Sequence, residues 1–157
     1  MIVVECNADE LFIEKMGFGK KIIHHAGCKG EVLKKVRKQT KTKAIGIIDE
    51  DPNSEHPGEL RKYKPIDEKG AIKLLKASNN KDKSLIQISP DLEHWLLKRA
   101  KENKINPKDL SLPKTAKGLH SLTRIKKNQK FIDFLNRLIH SDGEIKVMKE
   151  WIKKALK

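Results

Sequence analysis

The sequence predicts an α/β fold: a parallel β-sheet flanked by helices in its first two thirds, continued by helices alone. Two observations carry this. Short β-branched runs alternate with helix-period patterns over residues 1–50, the spacing of βαβ units and a Rossmann-like sheet. Beyond residue 105 the apolar residues recur only at i, i+3, i+4 and i+7, which is helix spacing. The expected division is an α/β domain over residues 1–104 and a basic helical extension over 105–157, packed on the same core.

Ile2-Val3-Val4 is a continuous apolar run, as in a strand buried on both faces. Asn7 follows as a helix N-cap with Glu10 three residues on, and Leu11, Phe12 and Met16 give that helix its apolar face before Gly17 and Gly19. Residues 21–25 read as a second strand, Val32, Leu33 and Val36 as a second helix, and Ala44–Ile48 as a third strand running into Asp49-Glu50-Asp51-Pro52. Residues 52–70, rich in proline and charge, read as a loop with a helical turn near Leu60. The turn-like segment 78–82 makes Ile72–Leu75 and Leu85–Ile88 a hairpin. Ser89-Pro90 is expected to open the next helix, with Leu92, Trp95, Leu96 and Ala100 inward. A short helix begins near Pro107. Two longer ones follow, marked by Phe131, Phe134, Leu135 and Leu138 and then by Met148, Trp151 and Ile152. The last stripe is expected to pack into the core or form a homodimer surface.

Composition narrows the function. Of 157 residues, 35 are Lys or Arg and 21 are Asp or Glu, a formal net charge of +14. Residues 1–60 hold ten of each sign, so the whole excess lies in 61–157. A neutral, acid-clustering part beside a strongly basic one suggests a polyanionic partner. No apolar run approaches the length of a membrane span, and no signal-peptide pattern opens the chain. Two cysteines are too few for a disulfide scaffold. A cytoplasmic protein with free thiols is expected.

In a parallel sheet, ligands gather at the carboxyl ends of the strands. Glu5 ends the first strand and Asp9 lies in the first turn after it. Asp49 and Asp51 end the third strand, on one face by alternation. Glu93 lies in the first turn of the helix after Leu85–Ile88. Clustered carboxylates repel, and a hard cation such as Mg²⁺ (or Mn²⁺) held through oxygen resolves the repulsion. Acids in a first helical turn also favour the helix dipole without any ligand. Glu5 weighs against that simpler reading, because a carboxylate closing an apolar strand is costly to bury without a cation or hydrogen bonds.

Val4-Glu5-Cys6-Asn7-Ala8-Asp9 with Gly17, and Ile47-Ile48-Asp49-Glu50-Asp51, resemble the TOPRIM signature: a Glu ending the first strand and Asp-x-Asp ending the third. Asp9 and the segment around Glu93 resemble the nuclease branch related to the overcoming-lysogenization-defect proteins. The resemblance covers residues 1–52 and, more weakly, 84–97. It departs at Cys6, where the pattern has Gly, and after Asp51, where Pro52-Asn53 stand. It implies Mg²⁺-dependent phosphoryl transfer on nucleic acid, with Glu5, Asp49 and Asp51 catalytic, and with Glu5, Asp9, Asp49, Asp51 and Glu93 holding metal. The single Tyr63 lies in a charged loop, so topoisomerase chemistry is not expected.

Lys29, in the phosphate-cradle-like Gly27-Cys28-Lys29-Gly30, and Lys114, Lys117, Lys126 and Lys127, beside the break at Pro113, are the candidate backbone-contacting cations. A solvated surface is the ordinary role of such lysines. His24-His25 with Cys28 form only a weak transition-metal pattern, and Cys6 lacks an activating base. The alternative to a nuclease is a non-catalytic nucleic-acid-binding or accessory module of the same fold.

Overall fold

A computed structural model describes residues 1–53 and 56–157; the expected loop over 52–70 therefore includes two positions, 54 and 55, outside the described residues. The strands are β1 (Ile2–Val4), β2 (Ile23–His25), β3 (Ala44–Asp49), β4 (Tyr63–Lys69), β5 (Ile72–Ala77) and β6 (Asn80–Ile88). They form one sheet in the order β2-β1-β3-β6-β5-β4. The first four in that order run parallel, while β5 and β4 are added antiparallel. The fold is α/β as expected, and the expected hairpin, β5 with β6, together with β4 makes the sheet mixed around its parallel core. The reason is local: β4, β5 and β6 are joined by tight turns, which only antiparallel neighbours allow.

Side chains alternate cleanly across this sheet. Ile2, Val4, Ile45, Ile47, Ile72, Ile86 and Ile88 face one side, with α1 (Asn7–Lys15), α3 (Leu92–Glu102), α5 (Gln129–Ser141) and α6 (Gly143–Leu156). Val3, Ile48, Leu75 and Leu85 face the other, where α2 (Lys29–Lys38) covers them with Val32, Leu33 and Val36. The C-terminal helices therefore bury Phe131, Phe134, Met148 and Trp151 in the same core as β1 and β3. Phe12 of α1 meets Trp95 of α3 edge-to-face, ring centroids 5.8 Å apart, which ties together the two helices that carry Asp9 and Glu93.

Gly46 is a close approach. A Cβ there would lie 2.7 Å from both Leu85 and Val32, so only glycine lets α2 seat this low on β3.

Two helix starts fall one or two residues from the expected positions. Cys6, not Asn7, is the N-cap of α1; the N3 side chain that reaches back is Asp9, whose Oδ2 accepts from the Cys6 N–H at 2.9 Å. Asp91, not Ser89, caps α3 and accepts from the His94 N–H. The charged stretch expected as loop contains β4, an edge strand exposed at six of seven positions, after the expected turn at Gly58–Lys62. No helix among the described residues is long and apolar enough to cross a membrane. Both cysteines are free.

Candidate metal centre and the cationic cavity beside it

The carboxyl ends of β1 and β3 lie side by side, since the two strands pair in parallel. This brings Glu5 onto Asp49: the Asp49 N–H donates to Glu5 Oε1 at 2.9 Å. Asp49 Oδ1 in turn accepts from the Leu92 N–H at 3.0 Å, pinning the start of α3 over the end of β3. The Glu50 N–H donates to the Ile88 carbonyl and the Asp51 N–H to the Pro90 carbonyl, which closes the β3–β6 seam. Strand geometry stops there. Asp51 has φ +46°, in the left-handed region that non-glycine residues seldom occupy, so the expected alternation with Asp49 does not extend to it.

Burial and mutual repulsion dominate this group. Asp49 is pushed up to about 9, first by burial and then by Asp9, Glu5, Glu93 and Asp51. Asp9, 3% exposed, is pushed up to about 7 by burial, against the hydrogen bonds from Cys6, with Glu5 and Glu93 adding repulsion. Glu5 is raised by burial, partly offset by the Asp49 N–H and by the Lys29 ammonium. The Cys6 thiol is pushed up too, by burial and by Asp9. It is a packing residue and no nucleophile.

Lys29 is the cation within the group. It is the first residue of α2 and only 7% exposed; its Nζ donates to the Glu50 carbonyl at 3.0 Å and lies 3.8 Å from Asp51 Oδ2. Its ammonium thus serves Asp51 and Glu5, two of the five carboxylates. Their donor chemistry, all oxygen and partly dehydrated, fits a hard divalent cation. Among the described residues no three His, Cys, Asp or Glu side chains form a group ready to hold a metal ion, so closing on one requires their oxygens to turn inward. Glu5, Asp9 and Asp49 each accept at least one backbone N–H, and each presents two carboxylate oxygens.

A cavity of about 710 Å³ opens beside the carboxylates, between the start of α1, Glu93 of α3, the end of α4 (Ala116–His120) and the 3₁₀ turn Ile125–Lys127. Lys126 and Lys127 line it with Arg124 and His120. Lys126 is anchored to Glu10 at 2.6 Å. The His120 Nδ1 lies 3.2 Å from Glu93 Oε1. Of the other expected cations, Lys117 is an exposed residue of α4. Lys114 lines a different, mostly apolar groove with Lys98, Lys101 and Lys104. His24 and His25 are exposed on the edge strand β2.

His120 and Arg124 are the two residues at this site that the sequence reading missed. Both lie outside any long periodic pattern, and only the packing of α1 and α3 against the 115–127 segment brings them to Glu93. No family model matches the chain, and no curated protein or solved structure is similar enough to count as a match.

Proposed function

We propose that the protein is a Mg²⁺- or Mn²⁺-dependent nuclease, or a related phosphotransferase acting on nucleic acid, built on a TOPRIM-like arrangement and working in the cytoplasm. The observation that carries this is the juxtaposition of five mutually repelling carboxylates, Asp49 raised to about 9 among them, with a cavity rimmed by Arg124, Lys126 and Lys127. Repelling carboxylates suit a cation, and a cationic rim suits phosphate. Glu5, Asp9, Asp49, Asp51 and Glu93 would hold the metal, which when bound neutralises charge developing on a transferring phosphoryl group. Lys29 holds the end of β3 in register through the Glu50 carbonyl and tempers the charge on Glu5. The start of α3, hydrogen-bonded to Asp49, fixes Glu93 beside the cavity.

The second reading is a nucleic-acid-binding module without catalysis, which the cationic rim of Arg124, Lys126 and Lys127 would serve equally well. Incubation of plasmid DNA and of a structured RNA with the protein in Mg²⁺ or Mn²⁺ separates the two. Cleavage that is abolished by EDTA and by Asp49→Ala supports the nuclease. Salt-sensitive binding without cleavage supports the module.

A further inference from the structure

The cavity beside Glu93 has two chemistries on its walls. Ala8, Leu122 and Ile125 present apolar surface, while Arg124 and Lys127 stand exposed on the same lining. Phosphate alone explains the cations and leaves the apolar wall without a purpose. A duplex does not explain it either: its bases are stacked, and they offer edges to a groove rather than faces to a hollow. A nucleotide taken out of the stack matches both walls, with base and sugar against Leu122 and Ile125 and its phosphates under Arg124 and Lys127. Pockets of this volume enclose ligands of that size. Glu93 belongs both to the cavity and to the carboxylate group, so a nucleotide seated there lies next to the proposed metal centre. Lys126 is already engaged by Glu10, which holds the 3₁₀ turn against α1 and keeps this wall in place.

Resting on the nucleic-acid reading above, we propose that this cavity seats one unpaired nucleotide flanking the reacting phosphate, so that the protein selects single-stranded or frayed nucleic acid over intact duplex. No Phe, Tyr or Trp lines the cavity among the described residues, and its one aromatic ring, His120, is turned to Glu93. The base is therefore held by apolar contact rather than by stacking, and preference among bases is weak.

The test is fluorescence anisotropy with the full chain in EDTA, comparing labelled dT12 with a 12-base-pair duplex at one salt concentration. The single strand is expected to bind more tightly. Ile125→Asn is expected to weaken it roughly five- to ten-fold, the scale of losing one buried apolar group, and to leave duplex binding unchanged. Leu122→Asn gives the same readout from the other side of the cavity if Ile125→Asn fails to fold. Equal affinity for both probes, or loss of single-strand preference in neither variant, overturns the nucleotide seat while leaving a nucleic-acid partner standing. No binding of either probe overturns the nucleic-acid reading itself.

Discussion

The molecule buries carboxylates in two places and treats them in opposite ways. Asp142 and Glu144, at the start of α6, meet a full set of donors. Arg99 Nε donates to Asp142 Oδ2 at 2.9 Å and Asn103 Nδ2 to the same oxygen at 2.7 Å, while Asp142 Oδ1 takes the Ile145 N–H. Glu144 accepts from the Trp95 indole at 2.8 Å and forms an ion pair with Arg99. At the carboxyl end of β1 and β3, acids crowd one another instead: Lys29 lies against Asp51 and tempers Glu5, while Asp49 and Asp9 are driven towards protonation. A buried acid with its donors in place welds helices together. One surrounded by other acids stores repulsion that a ligand can relieve, and such imbalance concentrates at functional sites.

The largest expected effect comes from breaking the satisfied pair. Arg99→Leu strips the cation from two buried acids and should cost about 3–5 kcal/mol. That is on the order of 10 °C in melting temperature for a chain of this size. The unsatisfied group should respond the other way. Asp49→Asn with Asp51→Asn removes repulsion, so the metal-free protein should melt several degrees higher, at roughly 2–4 °C per kcal/mol, and lose the stabilisation that Mg²⁺ gives the wild type. Calorimetry on both variants decides it; a double variant that still responds to Mg²⁺ refutes the ligand assignment.

Stability should also depend on pH through the crowded group. The raised Asp49 and Asp9 keep protons in the folded state that they release when unfolded, so in EDTA stability should fall as pH rises from about 4 towards 9. Mg²⁺ competes with those protons, and its stabilising effect should therefore grow with pH. Urea midpoints measured across that range with EDTA and with Mg²⁺ supply the comparison.

The smallest effect is at the basic surface. Duplex affinity should fall with salt by about 0.9 in log K per log unit of salt for each phosphate contact. Replacing Lys114, Lys117, Lys126 and Lys127 together by Ala should flatten that slope. Lys127 alone, on the cavity, should account for about one contact, and Lys114, on the separate groove, for less.

Much of this was legible in the sequence because the informative residues sit where burial is strongest. Ile2–Val4 and residues 44–48 are buried on both faces, so their β-branched runs and the acids that follow them mark the candidate site. Strand β4 was not legible, since an exposed edge strand carrying Pro65 and alternating charges obeys neither hydrophobic periodicity nor strand propensity. The cap of α1 lies one residue before the expected Asn7, which is instead the first residue of the helix, because Asp9 supplies the capping hydrogen bond from within it. Asp51 fell out of alternation through one left-handed backbone angle. His120 and Arg124 depend on how a short helix and a 3₁₀ turn settle against α1 and α3, a long-range outcome with no local signature.

The missing side chain at Gly46 reaches further than its own strand. Because α2 rests directly on that bare stretch of β3, the depth at which its first residue, Lys29, enters the acidic group is fixed by a hydrogen atom in mid-sheet. The balance of charge at one end of the molecule is thus set mechanically, by helix height, and a single added methyl group can detune it without altering one ionisable residue.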